Sequence, residues 1–514
     1  MKVRHSTTSK DEERTDRELA RQWESIDWEK ARDPVNRLQT RIAKATRKGN
    51  WNLVKRLQYL LTHSYSAKIL AIRKVTQNRG KRTPGIDGET WYTASDKIRA
   101  ATRLTDNQYH SQPLRRIYIP KPGKDTKRPI SIPTMHDRAM QALYALALQP
   151  VAETTADARS FGFRLFRGAR DAADYAFKCL RGKNAAPWIL EGDIKGCFDN
   201  IAHDWLMRNI PMDKSILAQF LKTGFIFDKK LFPTETGTPQ GGIASPILAN
   251  MALDGIEKIL SDKFPGKKVY FIRYADDFLV TAPTKELAEE ARELIQEFLT
   301  ERGLELSEDK TVITHIDKGF DFLGWHFRKY AGVLLIKPSR RSIESICRKV
   351  YGIIHTGRSW TQDRLIQTLN PVITGWTQYH RHIVAKETFR KMDFYLWNTL
   401  WQWTKRRHHE KGHKWIVNRY WHTEENRNWV FQTKTCTLAQ FTDTKICRHF
   451  MPKLDANPFL DRNYFLERKE RTKQTHQISR PVFHSLRSAA RQTGCEMREP
   501  YAVKIARTVP GRGG

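Results

Sequence analysis

Two adjacent carboxylates, Asp276 and Asp277, stand near the middle of the chain between two runs of mainly apolar and aromatic residues, 271–275 and 278–280. Such runs predict two strands, and the short acidic segment between them predicts a tight turn. Two carboxylates at the end of a buried hairpin cost desolvation and repel each other, which a divalent cation would relieve. The alternative is a solvated turn, because aspartate is common in turns.

A third carboxylate, Asp193, follows another apolar run that begins at Trp188 and then gives way to a helical pattern. Carboxylate oxygens are hard donors of the kind that suit Mg²⁺, which completes its octahedron with substrate phosphates and water. Two such ions about 4 Å apart clamp the attacking and leaving oxygens of a phosphoryl transfer. We therefore predict that Asp193, Asp276 and Asp277 are both catalytic residues and metal ligands in nucleotide polymerisation.

The order of three sequence blocks then indicates a family. Residues 193–199 (DIKGCFD), 237–250 (GTPQGGIASPILAN) and 274–277 (YADD) resemble the reverse transcriptases encoded by group II introns, and the resemblance extends from Trp23 to about Trp421. It implies an α+β right-hand polymerase with an antiparallel catalytic sheet, a helical N-terminal extension and a helical thumb. It also implies an RNA-directed DNA polymerase that copies intron RNA at a DNA target, and a maturase that promotes splicing and retrohoming.

The same resemblance implies the cofactor and the partners. We expect two Mg²⁺ ions, with Mn²⁺ tolerated, deoxynucleoside triphosphates as substrates, target DNA, and intron RNA in a ribonucleoprotein. The composition agrees, since 90 Lys and Arg against 56 Asp and Glu give a net charge of +34, which favours a polyanionic partner. The 15 tryptophans add surfaces on which bases can stack.

Several other classes of protein are disfavoured. We expect no membrane partner and no secretory signal, because no apolar run is long enough to cross a bilayer and residues 1–21 are polar. The expected location is the cytoplasm of a bacterium or an organelle, at the nucleoid when the protein is bound to DNA. Six scattered cysteines without a C-x-x-C pair argue against structural zinc and against a disulfide framework.

Many relatives end in an HNH-type endonuclease built around cysteine pairs and histidines. Here the corresponding region has only Cys495, with His476 and His484 nearby. We therefore expect the nuclease to be missing or vestigial, and the DNA primer to come from a replication fork or another nick.

Five residues are assigned to the incoming nucleotide by the resemblance. Lys121 and Arg128 flank a basic loop between two predicted strands and would hold the triphosphate. Phe198 would lie under the sugar and exclude a 2′-hydroxyl, and Gln240 would lie beside the base or sugar. Lys310 would protonate the pyrophosphate leaving group or neutralise its charge. Solvated charges at Lys121, Arg128 and Lys310 and a core aromatic at Phe198 are the alternatives.

Further residues are assigned to nucleic acid. Arg164 and Arg167 fit template contacts, and Gly324, in a block that resembles the primer-gripping hairpin, would let the primer backbone approach closely. RNA contacts are predicted in the extension and in the thumb, or domain X, although a solvated surface would explain the same charges. The predicted RNA-binding residues are Arg37, Arg41, Lys44, Lys48, Lys55, Arg381, Arg406 and Arg407.

The pattern divides the chain into four parts: an RNA-binding helical extension over residues 1–90, fingers and palm over 91–330, thumb and maturase domain over 331–421, and a basic DNA-binding region over 422–514. In the extension we expect residues 1–21 to be flexible, a helical hairpin broken at Gly49 and Asn50, and no regular structure in residues 80–88. Residues 507–514 are expected to be disordered.

Two other functions fit the same sequence. The chain could be a splicing cofactor whose polymerase is idle, although retention of clustered carboxylates argues against this. It could also be a polymerase adopted by its host for a defence or CRISPR system.

Overall fold

A computed structural model describes residues 6–120, 127–424 and 427–478 of the chain. Helices and strands alternate irregularly along these residues, and the strands form four separate sheets in which most pairs are antiparallel. The predicted α+β class with a right-hand polymerase architecture is confirmed.

Four helices form the N-terminal extension: α1 (Ser6–Glu24), α2 (Trp28–Arg47), α3 (Trp51–His63) and α4 (Tyr65–Thr76). The predicted break after α2 is present, with Gly49 at φ +67° and the Asn50 side chain capping α3. The predicted hairpin, however, is a group of three helices, because Ser64 separates α3 from α4.

Two expectations for the extension were wrong. Residues 1–21 were expected to be flexible, but α1 covers most of them and packs along the later helix α5 (Ala94–Arg103), where Asp16 pairs with Arg99. The first five residues lie outside the described part. Residues 80–88 were expected to lack regular structure, but they begin within a short 3₁₀ helix (Arg79–Arg82) whose carbonyl at Gly80 accepts a bond from Arg138.

The fingers and palm contain the following elements: β1 (Leu114–Pro120), β2 (Lys127–Ile132), α6 (Met135–Thr155), α7 (Ala169–Leu180), β3 (Trp188–Asp193), α8 (Cys197–Asn200), α9 (His203–Asn209), α10 (Lys214–Lys222), β4 (Phe225–Phe227), β5 (Lys230–Phe232), α11 (Ser245–Leu253), α12 (Ile256–Lys263), β6 (Tyr270–Tyr274), β7 (Asp277–Ala282), α13 (Lys285–Thr300) and β8 (Val312–His315). The fingers sheet has the order β2-β1-β4-β5, and the palm sheet has the order β6-β7-β3-β8 with every pair antiparallel.

The palm sheet lies between two hydrophobic cores. Leu190, Phe278 and Val280 face a core shared with the extension, α6 and α13, whereas Ile189 and Leu279 face a second core shared with α7 and the thumb. Because both faces are buried, β3, β6 and β7 carry apolar side chains on both of their faces, as the apolar runs in the sequence suggested. The two cores fix the register of the palm strands, since a slip by one residue would move every side chain of a strand to the opposite face of the sheet.

A second hairpin and the thumb follow the palm: β9 (Phe320–Phe322), β10 (Trp325–Tyr330), β11 (Val333–Pro338), α14 (Arg340–Thr356), α15 (Gln362–His380) and α16 (Lys386–Arg407). The C-terminal part then contains α17 (His413–Tyr420), β12 (Trp421–Glu424), β13 (Arg427–Phe431) and α18 (Arg462–Ile478). None of the helices in the described residues has the length and apolarity required to span a bilayer.

Residues 446–472, here called the C-terminal strap, return from the thumb to the fingers and palm. Near its start, His449 Nε2 lies 2.7 Å from a carboxylate oxygen of Asp171 in α7, and Arg468 of α18 donates to the same oxygen at 2.9 Å. Phe465 stacks on Phe166 with ring centroids 5.0 Å apart. The strap therefore packs against α7 and the segment that precedes it. The sequence did not reveal this packing.

A buried arginine anchors the hairpin formed by β6 and β7. Arg273 is fully buried, donates to Asp254 Oδ1 at 2.5 Å and to Asn250 Oδ1 at 3.0 Å, and thus ties β6 to α11. Its backbone carbonyl accepts from Phe161 at 2.9 Å, and its backbone nitrogen donates to Arg159 at 3.0 Å. The hairpin is held by both backbone and side-chain bonds.

Replacing Arg273 by methionine should lower the free energy of unfolding by about 3–5 kcal/mol, because the Asp254 carboxylate would remain buried without its partner. Lys263→Met is the matched control, since Lys263 pairs with Glu290 at 3.5 Å on the surface and its loss should cost less than about 1 kcal/mol. Urea denaturation followed by circular dichroism measures both. Equal losses in the two variants would show that Arg273 is not an anchor.

Candidate active site at the palm hairpin

The acidic tip is a two-residue turn. Tyr274 pairs with Asp277 as the last pair of the β6–β7 ladder, so that only Ala275 and Asp276 form the connection. Ala275 has φ +59°, a conformation that such hairpin turns require and that alanine adopts at a cost. Gly162 packs directly against the turn, where a Cβ would lie 2.3 Å from the Ala275 nitrogen. The absence of a side chain at Gly162 thus allows the turn to sit against the palm.

The third aspartate lies opposite this turn. Asp193 ends β3 and pairs in register with Asp277 of β7, so both carboxylates are at the same edge of the sheet. Asp193 is only 9% exposed, and its Oδ2 lies 2.8 Å from the Nζ of Lys310. Lys310 itself ends a 3₁₀ helix that is fastened to β3 through a bond from Ser307 N to Asp193 O. The fold thus brings the predicted carboxylates and Lys310 together.

The charges at this edge are only partly compensated. Burial raises the pKa of the Asp276 carboxyl, the charge of Asp193 raises it further, and Lys310 and Arg128 lower it. Arg128, in the fingers strand β2, is thus near enough to the palm hairpin to influence the Asp276 carboxyl. Asp276 and Asp193 are therefore electrostatic neighbours, with two cations arranged around them.

Asp277 has a different neighbour on its other side. Burial raises the pKa of the Tyr274 phenol to about 12, and the charges of Asp171 and Asp277 add to the effect. Asp276 and Asp277 thus experience different surroundings, although they are adjacent in sequence.

The donors fit a hard divalent cation. They are carboxylate oxygens, and burial together with the charge of Asp193 raises the pKa of Asp276, a cost that a bound cation would relieve. The Lys310 ammonium already lies 2.8 Å from Asp193. Among the described residues, no three His, Cys, Asp or Glu side chains converge into a ready-made metal site. Phosphate oxygens and water would therefore have to complete the coordination around the aspartates.

The turn after β5 lies between the fingers and the palm. Gln240 donates from Nε2 to Asp199 Oδ2 at 2.9 Å, and its carbonyl accepts from Ser131 of β2 at 2.9 Å. Gly241, at φ +124°, approaches the Ser131 carbonyl so closely that a Cβ would lie 2.5 Å from it. This turn thus connects fingers and palm beside the carboxylates and holds the Gln240 side chain in place.

Phe198, in α8, is half-buried, and its ring meets that of Phe163 edge to face with centroids 6.0 Å apart. Its backbone carbonyl accepts from Thr238 at 2.6 Å, which places it beside the same turn. The partial exposure leaves part of the ring available to a substrate. Lys121 lies outside the described residues.

Family models match three consecutive segments of the chain. They are described as N-terminal domain of reverse transcriptase over residues 23–104, reverse transcriptase (RNA-dependent DNA polymerase) over 119–327, and group II intron, maturase-specific domain over 343–421. The succession of these segments agrees with the order of extension, polymerase and thumb described above.

Curated relatives agree with the models. The group II intron-encoded protein LtrA of Lactococcus lactis subsp. cremoris is 29% identical over 391 residues, which cover 62% of this chain and 65% of LtrA. Protein YkfC of Escherichia coli (strain K12) is 30% identical over 299 residues, which cover 49% of this chain and 78% of YkfC. The chain belongs to the family of group II intron-encoded reverse transcriptases and maturases.

A solved structure of telomerase from Candida albicans with a fragment of telomeric RNA aligns with 63% of this chain and 68% of the telomerase chain. Its TM-score is 0.37 at 14% identity, a likeness too low to support an argument. Reverse transcriptases generally use divalent metal ions, in agreement with the carboxylate donors of this family member.

Two of the predicted template contacts have structural roles instead in this reverse transcriptase. Arg164 is 9% exposed, pairs with the equally buried Glu153 at 2.8 Å and donates to two backbone carbonyls. Arg167 is 7% exposed and donates to the carbonyls of Ala158 and Leu454, which fastens the C-terminal strap. Their guanidinium groups are therefore used inside the protein rather than facing a template.

Gly324 has the geometry expected of a close-approach position. It follows Leu323 in the two-residue turn between β9 and β10, and both residues have positive φ, +82° and +52°. Around the position where a Cβ would stand, the nearest atom is Tyr379 Cε1 at 3.9 Å, so the backbone there is accessible. The turn is held from the thumb by a bond from Tyr379 Oη to Leu323 O at 2.7 Å.

The predicted RNA-binding residues fall into two groups. The exposed ones are Arg37, Arg41, Lys44, Lys48 and Lys55 of the extension and Arg406 and Arg407 of the thumb. Arg407 also donates to the Trp360 carbonyl at 2.6 Å. Arg381, by contrast, is 2% exposed and donates to Gln378 and to Cys447 Sγ, so it fastens the C-terminal strap rather than facing RNA.

Sequence reasoning missed the anchoring residues of this site. Arg273 lies in an apolar strand, and a charge in such a run is a signal that it must be paired. Its partners Asp254 and Asn250 could not be named, because they lie about 20 residues away in an ordinary helical pattern. The partners of Asp171 could not be named from the sequence either, because His449 and Arg468 come from the C-terminal strap.

Without divalent ions, Asp276→Asn should raise the free energy of unfolding at pH 8 by about 0.5–2 kcal/mol, because the amide removes a buried charge beside Asp193. The pKa of Asp276 is raised in the folded state, so the native carboxyl gains stability as pH falls and becomes protonated. The advantage of the variant should therefore shrink at pH 5. Thermal denaturation in EDTA measures both values.

Asp309→Asn is the control, because Asp309 is an exposed aspartate in the neighbouring 3₁₀ helix. It should change stability little at either pH. If Asp276→Asn destabilised the metal-free protein instead, the proposed charge crowding would be refuted.

Proposed function

We propose that this chain is an RNA-directed DNA polymerase that copies intron RNA at a DNA target by nucleotidyl transfer, and that it also acts as a maturase. The observation that carries the polymerase proposal is the arrangement of Asp193, Asp276 and Lys310 at one edge of the palm sheet, opposite Arg128 of the fingers. The maturase proposal is supported by the family match over residues 343–421.

Asp193, Asp276 and Asp277 would hold Mg²⁺, which when bound would stabilise charge on the reacting oxygens and activate the primer hydroxyl. Mn²⁺ would be tolerated, because its preference for oxygen donors is similar. We assign the incoming triphosphate to the cleft between β2 and the palm hairpin, where Arg128 would attract its phosphates. Lys121, outside the described residues, keeps its proposed role beside Arg128.

Lys310 would act on the leaving group. Its ammonium now lies 2.8 Å from Asp193 and is one-third exposed, so it can reach a neighbouring acceptor by rotating its side chain. When the bond to the terminal phosphates breaks, Lys310 can donate a proton to pyrophosphate or neutralise its charge. Gln240, held by Asp199, would orient the base or sugar of the nucleotide.

The remaining assignments concern nucleic acid. The exposed cations of α2 and α3 and of the end of α16 would bind intron RNA, and the turn at Gly324 would approach the primer backbone. Residues 1–90, 91–330, 331–421 and 422–514 are retained as the proposed RNA-binding extension, polymerase, thumb and DNA-binding region. The proposed setting is a bacterial cytoplasm or an organelle.

Asp276→Asn should lower the rate of primer extension on an RNA template with Mg²⁺ by at least about 100-fold, because it removes a charge that acts at the reacting atoms. Asp309→Asn, the matched surface change, should extend primers as the native chain does. Splicing of the cognate intron RNA should be retained in both variants, since the exposed basic surfaces are unchanged.

The same assay separates the two proposed activities. If the native chain made no DNA but still promoted splicing, the polymerase proposal would fail and the role of splicing cofactor would stand. If Asp276→Asn abolished splicing as well, the two activities would not be separable as proposed.

Phe198→Val should reduce the preference for deoxynucleotides over ribonucleotides, measured as the ratio of kcat/KM values, by about tenfold or more, because a smaller side chain leaves space for a 2′-hydroxyl. Phe227→Ala is the control, since Phe227 is an exposed phenylalanine of the fingers sheet. A variant that loses stability but keeps its preference would identify Phe198 as a core residue only.

A further inference from the structure

An unusual backbone position lies in the hairpin of β12 and β13, after the thumb. The pairing passes from His422 opposite Val430 to Glu424 opposite Arg427, a shift of one residue. Two residues of β13, Asn428 and Trp429, therefore face a single residue of β12. This is a β-bulge, a feature that turns a side chain away from its normal direction.

The residue in the bulge is poorly suited to its conformation. Trp429 has φ +65°, in the left-handed region where glycine is usual and where a bulky side chain is a clear outlier. Its ring gains little burial in return, because it remains 49% exposed. A strained position that presents a large aromatic ring to solvent indicates a function outside the folding of the chain.

The ring of Trp429 joins other aromatic rings on the thumb helix α16. Trp397 and Trp401 stack on each other with centroids 5.7 Å apart and planes 9° apart. Trp429 meets Trp397 at 6.2 Å and 70°, so the rings form a corner with two walls. Phe394, one turn before Trp397, is 67% exposed. These four residues are here called the tryptophan corner.

Cations border the tryptophan corner. Arg390 precedes Phe394 by four residues, and Lys405 follows Trp401 by four residues, so both belong to the same stripe of α16. Both are exposed, as is Lys434 after β13. Aromatic rings bordered by cations suit a polyanion with flat bases better than an apolar protein surface, and the chain as a whole carries +34.

We propose that the tryptophan corner is a platform on which an unpaired base of single-stranded RNA stacks. The inference rests on the proposed function, since intron RNA is the partner that supplies such bases. RNA is favoured over DNA because Trp397 and Trp401 lie within the segment that matches the maturase-specific domain, residues 343–421. Lys405 and Arg390 would contact the flanking phosphates, and any base could stack.

Trp429→Gly tests the proposal in the full chain. The probe is a fluorescein-labelled RNA hairpin with a single-stranded adenosine arm, and its binding is measured by anisotropy. The dissociation constant should rise about 5- to 100-fold, the usual effect of losing one base-stacking ring. The dissociation constant for the same RNA hairpin without the arm should change less than about twofold. The salt dependence should be unaltered, because stacking releases no counterions.

Stability supplies the second readout. Glycine suits the left-handed conformation at position 429, so the melting temperature of Trp429→Gly should equal or exceed that of the native chain. A clear decrease would show that Trp429 is a packing residue and would overturn the proposal. Trp429→Phe keeps a stacking ring and should retain most of the affinity for the armed hairpin.

The controls exclude general effects. Tyr92→Ala removes an aromatic ring that is 58% exposed and distant in sequence from the tryptophan corner, and it should leave binding unchanged. If Trp429→Gly weakened binding only to the DNA counterpart of the armed hairpin, the RNA proposal would be overturned. A native chain that extended no primers would refute the polymerase proposal without altering the binding result.

Discussion

Mutual repulsion among carboxylates at one edge of the palm sheet is the constraint on which the rest of this structure depends. The register of β3 against β7 places Asp193 opposite Asp277, and the turn adds Asp276. The raised pKa of Asp276 shows that burial and Asp193 make this charge costly. The surrounding protein must hold these charges in place, because they repel each other.

The fold holds it in two ways. Lys310 and Arg128 approach the carboxylates from the palm and from the fingers, and they partly neutralise them. Behind the turn, Arg273 fastens β6 to Asp254 and Asn250, while Gly162 lets the neighbouring backbone pack against Ala275. The contacts of Arg273 and Gly162 thus fix the hairpin on one side, and its carboxylates lie on the other. A preorganised catalytic site requires such a rigid support.

Exposed cations of the extension and of the thumb form two basic surfaces in the described part of the chain. Two cores sandwich the palm sheet, one shared with the extension and one with the thumb, so that both basic surfaces have a common rigid support. The C-terminal strap closes the arrangement by bringing His449 and Arg468 to Asp171 of α7. The tryptophan corner lies where the thumb helix meets the segment that leads into this strap.

The sequence by itself determined the elements of the candidate site, because their signals are local. Apolar runs, a predicted tight turn and carboxylates at strand ends indicate Asp193, Asp276 and Asp277 as candidates without knowledge of the packing. Exposed cations on α2 and α3 could also be predicted, since helical periodicity separates them from the core. The family resemblance added the order along the chain of the extension, the fingers and palm, the thumb and the C-terminal region.

Only the tertiary structure decided which charged residues face outward. Arg164, Arg167 and Arg381 have the residue type of nucleic-acid contacts, but their guanidinium groups bind Glu153, backbone carbonyls and Cys447. The partners come from other elements, and the strap supplies two of them from nearly 70 to about 290 residues away along the chain. A local pattern can show that an arginine is present, but the long-range packing decides whether it is buried with a partner or free to bind.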